Sequence, residues 1–168
     1  MTEAQTLANE TRLELYAGIH PANGQPIFEQ VLATPLAEKS EHHYKLLKSP
    51  LFISGVAALD SIVLNPDARG RFSLNEHSGN LAIRVFMREA NEALVQSLNA
   101  EMEKLGGNLD INSERALVFS IHFGVGFSVI EQLLDKHSKS GEARWTYGNV
   151  YDPETGEPLN WWQELLVV

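Results

Sequence analysis

The first half of the chain alternates apolar and polar side chains in short runs broken by turn residues. Leu13, Leu15 and Ala17 alternate with Arg12, Glu14 and Tyr16, the period-two pattern of a half-buried strand. His20 to Pro26 is a turn-rich loop whose Asn23-Gly24 pair favours positive φ. A second strand is predicted over Phe28 to Leu36, with Pro35 marking its end. Lys39 to His43 is a polar turn, and short strands follow at Tyr44 to Leu47, Ile62 to Leu64 and Phe72 to Asn75. Between the first two of these, Ser49-Pro50 breaks the chain, and Val56 to Ser61 fits either a loop or a helical turn. This pattern predicts five or six short strands in the first 76 residues, forming a small, strongly bent antiparallel sheet or barrel.

From Leu81 onward the period changes. Leu81, Ile83, Val85 and Met87 share one face of a strand, and Ala82, Arg84 and Phe86 share the other. Glu89 to Leu105 reads as a helix with an apolar stripe at Ala90, Ala93, Leu94, Leu98, Met102 and Leu105, closed by Gly106-Gly107. A brief strand at Leu109 to Ile111 precedes another at Ala116 to Phe123, and a second helix runs from about Phe127 to Lys139. Ser128 and Glu131 there have capping-box spacing. A last strand spans Ala143 to Tyr151, and Asp152 to Gly156 is a tight turn. The order strand, helix, strand, strand, helix, strand is the ferredoxin-like split βαβ arrangement. The expected architecture is therefore α+β. A small β sub-structure (1–76) is packed on a ferredoxin-like βαββαβ unit with a C-terminal tail (77–168), and the two share one core. Met1 to Asn9 is expected to be a frayed tail. Trp161, Trp162 and the stretch from Leu165 to Val168 form an apolar tail that should dock, either in the core or across a homodimer.

Composition narrows the function classes. Thirteen basic against 22 acidic residues give a formal charge of -9, which repels phosphate backbones and disfavours nucleic acid. With no cysteine, disulfides and thiolate metal sites are excluded, which suits a cytoplasmic setting. No signal peptide and no membrane span are expected, because no apolar run approaches ~20 residues.

The chain's densest polar group is Asn75 to Met87, a turn running into a strand. In the expected topology the strands at Leu81–Met87 and Ala116–Phe123 are parallel neighbours in the sheet centre. Arg84, Ser120 and His122 then lie on the face away from the helices. An arginine beside a histidine can bind a carboxylate or phosphate while the imidazole moves a proton. The competing reading is that the N-terminal strands cover this face and these groups only satisfy buried backbone or carboxylates. Glu76, His77 and Ser78 are consecutive on an extended chain and point in opposite directions, so they form no triad. Ser78 and Asn80 instead suit backbone hydrogen bonding around Gly79. Ser78, Gly79, Asn80, Arg84 and His122 are therefore the candidate ligand-binding residues, and no catalytic set is assigned. Gly124-Val-Gly126 lacks the third glycine of a dinucleotide loop. His42-His43 has no further ligand at metal spacing, and Asp152, Glu154 and Glu157 do not match a calcium loop. No metal and no cofactor are expected.

Several stretches, in order, resemble a bacterial family known as the domain of unknown function numbered 4265. Phe28-Glu-Gln-Val-Leu-Ala-Thr-Pro-Leu36 is similar to its glutamate-to-proline-leucine strand. Tyr44 to Phe52 is similar to its tyrosine-to-proline segment, and Gly55-Val-Ala-Ala-Leu-Asp60 to its glycine-to-aspartate turn. Glu76-His-Ser-Gly-Asn80 with Arg84 resembles its serine-glycine to arginine motif. The resemblance covers about residues 12 to 87 and implies a bacterial cytosolic protein without assigning chemistry.

Two function classes follow. One is a non-catalytic protein-binding module, most concretely an immunity protein whose acidic surface steers onto a basic toxin. The other is a small enzyme or sensor acting on an anionic metabolite through Arg84 and His122.

Overall fold

The computed structural model describes residues 10–166; the tail expected over Met1 to Asn9, and the last two valines, lie outside the described residues. The first five strands are β1 (Thr11–Ile19), β2 (Pro26–Pro35), β3 (His43–Leu46), β4 (Ser61–Leu64) and β5 (Phe72–Glu76). They form one antiparallel sheet in sequence order. The sheet curls until the β4–β5 turn meets β1, where the Tyr16 N–H donates to the Gly70 carbonyl at 2.9 Å. Arg69 and Arg71 cover the Phe28 and Tyr16 rings at the same place, at 4.1 and 3.8 Å. Gly70 has a φ of +73°, and a Cβ there would stand 2.8 Å from the Tyr16 nitrogen. Among the described residues, no β1–β5 ladder closes the sheet into a barrel.

The second half contains β6 (Asn80–Met87), α1 (Glu92–Lys104), β7 (Asn108–Asn112), β8 (Ala116–His122), α2 (Phe127–Ser138), β9 (Ala143–Tyr147) and α3 (Trp161–Leu165). The architecture is α+β; the described residues form a five-stranded and a four-stranded antiparallel sheet and three α-helices. The second sheet runs β7-β8-β6-β9. The central pair is β6 and β8, but they are antiparallel rather than parallel as expected: Asn80 faces His122 and Phe86 faces Ala116. The reason is the short turn after β7. It reverses the chain so that β8 opposes β7. Since α1 brings β7 back in the direction of β6, β8 must oppose β6 as well.

Helix boundaries follow local chemistry. The β6–β9 pairing continues to Arg88, whose N–H donates to the Glu142 carbonyl. The first helix therefore starts at Glu92, three residues later than the expected Glu89, where the Asn91 side chain accepts the Leu94 N–H. Gly106, at φ +88°, ends it: its N–H donates to the Glu103 carbonyl, and the Gly107 N–H donates to the Met102 carbonyl. The expected capping box on α2 does not form. The helix begins at Phe127 behind Gly126, so Ser128 sits inside the first turn and Glu131 is free to bond elsewhere.

Among the described residues, most buried apolar side chains fall into two clusters. The larger joins Leu81, Ile83 and Val85 of β6 with Leu117, Phe119 and Ile121 of β8, under Val95, Leu98 and Met102 of α1 and Ile130 and Leu134 of α2. Trp161 of α3 docks in the same cluster, donating its Nε1–H to the Asn149 carbonyl at 2.8 Å. Leu165 and Leu166 of the tail stay exposed. The smaller cluster contains Leu13, Leu15, Val31, Ala33, Leu46, Ile53, Val56 and Ile62.

The two long helices are tied by Glu101 of α1, which bonds Lys136 (2.9 Å) and His137 of α2. The hydrogen bonds from His137 and then Lys136 hold the Glu101 carboxyl down to about 2, from an ordinary 4.5. A depressed carboxylate contributes stability above its ordinary value and loses it as pH falls through the folded one. Glu101→Gln should therefore lose its disadvantage against the unaltered chain as pH drops from 4.5 towards 2. Urea midpoints measured across that range check it.

Candidate functional site

The segment between β3 and β4, residues 47–60, lies between the two sheets. Ile53 and Val56 join the smaller core, while the backbone of the same segment faces polar groups from both sides. A buried backbone must have its N–H and C=O groups satisfied. Glu29 does so from β2, its two oxygens accepting the Leu51 and Phe52 N–H groups at 2.7 and 2.8 Å. Arg84 of β6 donates to the Ile53 carbonyl at 2.5 Å, and Gly55 donates to the Gly148 carbonyl at 2.9 Å. Fully buried Asp60 accepts the Ala57 N–H at 2.9 Å and the Ser78 N–H at 2.8 Å.

Each candidate residue has a place in this seam or at its edge. Ser78 Oγ donates to the Ala58 carbonyl and accepts the Asn80 N–H. Asn80 Nδ2 donates to the same carbonyl at 3.0 Å. Gly79, at φ +104°, is buried against His122, where a Cβ would stand 2.4 Å from the imidazole Nε2. The turn thus binds backbone, as its residues suggested. Arg84 is half-buried, its Nε is buried without a hydrogen-bond partner, and burial lowers its pKa against an opposing pull from Glu29. His122 is exposed; its Nδ1 accepts the Gly124 N–H at 3.0 Å and its ring stacks on Phe123.

Arg84 and His122 are not brought together. Arg84 faces Val118 and His122 faces Asn80 across the β6–β8 ladder. Four strand positions separate them, roughly 13 Å at ~3.3 Å per residue. Residues 47–60, rather than the N-terminal strands, cover the face near Arg84. Ser120 belongs to a different network. It donates to Asp110 and shares a 2.6 Å bond with Ser49 Oγ, which accepts the Ala58 N–H at 2.8 Å. Asp110 also accepts the Ser49 N–H at 2.8 Å, and desolvation, only partly offset by these bonds, raises its pKa.

Sequence reasoning did not single out Glu29, Asp60, Asp110 or Asn149 as seam residues. Glu29 had a legible signal: an acidic residue at the inward-facing step of a strand, two positions before Val31. Asn149 had none, since its role depends on contacts with β6, where its side chain accepts from Ala82 N and donates to Asn80 O. His77 stacks on Trp161 at 4.4 Å and 17°, and its Nδ1 lies 3.5 Å from Asp60 Oδ2. It therefore helps to seat the tail.

A second polar group lies on α2 and β9. The Tyr147 hydroxyl donates to Glu131 at 2.9 Å, and Trp145 Nε1 donates to Asp135 at 2.9 Å. Burial, followed by the bond to Glu131, pushes the Tyr147 hydroxyl well above its ordinary value. In the next turn, the N–H groups of Thr155 and Glu154 hold Asp152 below the usual carboxylate range. His43 Nδ1 bonds Ser40 Oγ at 2.5 Å. Among the described residues, no group of three or more histidine or acidic side chains is arranged to hold a metal ion. Among the same residues, no helix is long and apolar enough to cross a membrane.

The chain belongs to the family described as domain of unknown function (DUF4265), whose model matches residues 29–145. Its structure is similar to the crystal structure of a hypothetical protein from Neisseria gonorrhoeae. The TM-score is 0.62 at 15% identity, covering 82% of this chain and 94% of that one, a likeness of fold. No curated protein matches the sequence.

Asp60→Ala leaves the Ala57 and Ser78 amides without an acceptor and should cost about 2–5 kcal/mol. Arg84→Ala should cost about 1.5–3 kcal/mol, and exposed His122→Ala at most about 1 kcal/mol; denaturant midpoints of the three variants give the ranking. Asp110→Asn keeps an acceptor for Ser49 and Ser120 but cannot ionise. A raised carboxyl gives stability that is complete below its ordinary value and lost as pH rises through the folded one. The asparagine variant should therefore gain on the unaltered chain as pH rises above 3.8, in the same midpoint measurement.

Proposed function

We propose that this member of the DUF4265 family is a non-catalytic bacterial protein-binding module of the cytoplasm. Most concretely, it is an immunity protein that neutralises a toxin by binding over it. The observation that carries the reading is the use of the candidate polar residues inside the fold. Ser78, Asn80 and Arg84 hold backbone groups of residues 47–60 or of their own turn. His122 caps the turn that follows β8. With those side chains engaged, recognition falls to the outer surface, and a formal charge of -9 favours a basic partner. A small enzyme or sensor would require Arg84 and His122 to act on one ligand, and their separation along the ladder does not favour it. We also read the second sheet as the ferredoxin-like arrangement. Its β7-β8-β6-β9 order supports that reading, because each helical crossover joins strands with one strand between them.

Affinity purification of tagged protein from its native cells, with mass spectrometry of what co-elutes, tests the proposal. The expected result is a stoichiometric, salt-sensitive basic protein whose toxicity is suppressed on co-expression. A retained small anion with no protein partner would overturn it.

A further inference from the structure

The negative charge is not spread evenly. From Trp145 to Val168 the chain carries four acidic residues, Asp152, Glu154, Glu157 and Glu164, and no lysine or arginine. Three of the four sit in or beside the tight turn after Tyr151. The turn and the elements near it in the chain also carry exposed apolar side chains: Val129 at the start of α2, Tyr151 and Leu159 flanking the turn, Leu165 at the end of the last helix and Leu166 just after it.

Ring contacts connect these pieces. Tyr147, 9% exposed, forms a floor. Half-buried Trp145 stands against it at 5.0 Å and 87°, and Tyr151, 47% exposed, lies 6.3 Å away. Phe127 packs on Tyr147 at 5.9 Å and on Trp162 at 5.1 Å, linking the floor to the last helix. Glu131 and Asp135 are one turn apart on α2, so they project from the same side of it. Their bonds to Tyr147 and Trp145 fix them at the edge of the ring cluster. The Tyr151–Pro158 bridge, with the Asp152 N–H donating to the Glu157 carbonyl, holds the acidic turn beside Tyr151.

Aromatic side chains at the centre with charge around them is the composition of a protein-binding surface. Ring faces bordered by carboxylates suit arginine and lysine, which pair with the acids and lie over the rings. We propose that this acidic aromatic surface, centred on Trp145 and Tyr151, is where the chain docks a basic, arginine- or lysine-rich segment of a protein partner. The assignment rests on the binding-module reading above and supplies its contact surface. The negative charge disfavours nucleic acid as the occupant.

The test uses an eight-residue arginine peptide as the probe, at low salt, with the full chain labelled for amide NMR. Amide shifts should concentrate at α2, β9 and the turn after Tyr151. Tyr151→Ala should weaken the peptide by about fivefold or more. Charge-matched pairs then separate local from bulk electrostatics. Glu154→Gln with Glu157→Gln should weaken binding severalfold, while Glu38→Gln with Glu41→Gln, in the exposed β2–β3 turn, should change it little. Equal losses from both pairs, or shifts elsewhere on the chain, would overturn this surface, as would no binding of the peptide. The binding-module reading fails separately, on co-purification. A basic protein that co-elutes equally with the unaltered chain and with Tyr151→Ala leaves that reading intact and removes this surface from it.

Discussion

Everything in the middle of this molecule depends on satisfying one partly buried stretch of backbone. Residues 47–60 cross between two sheets with little regular structure of their own, and an unpaired N–H or C=O there costs as much as a lost hydrogen bond. Glu29 from one sheet, Arg84 from the other, and Asp60 and Ser49 within the segment supply partners. The apolar side chains of the segment meanwhile fill the smaller core. One segment thus serves as the packing of one half and the polar contact of the other. The two apolar clusters can stay separate because a hydrogen-bonded seam joins them.

The same constraint accounts for the residues most suggestive of chemistry. A half-buried arginine near a strand centre invites a ligand, but here a main-chain carbonyl is its partner. The residues that carry the resemblance to the family behave alike. Glu29, Gly55, Asp60, Ser78 and Arg84 all bond residues 49–60 or the backbone facing them. Their spacing along the chain makes sense as a recipe for fixing one crossing segment between two sheets. The segment takes hydrogen bonds from both sheets, Glu29 on one side and Arg84 on the other, so the seam sets how the halves meet.

Surface chemistry is then left to elements outside the seam. The second helix, the final helix and the turn after Tyr151 carry exposed aliphatic side chains and the exposed Tyr151 ring, near half-buried Trp145 and its carboxylate partner Asp135. The tail is seated from beneath by Trp161, held by His77 and by the Asn149 carbonyl. Seating through one buried ring leaves Leu165 and Leu166 at the surface, where they extend the apolar area rather than close it.

The sequence by itself determined the elements. Period-two and helical patterns located nearly every strand and both long helices, because side-chain periodicity reports which face is buried whatever that face meets. It also determined that the Ser78–Asn80 turn bonds backbone, since the preferences of serine, glycine and asparagine are local. Only the tertiary structure decided that β6 and β8 run antiparallel, that the apolar core is two clusters, and that Arg84 and His122 stand four positions apart. Those facts depend on register and on which distant segment covers a face. Arg84 takes its partner from 31 residues away and Ser120 from 71. Alternation along a strand names the face a side chain occupies but not its position on the neighbouring strand, nor what lies above it.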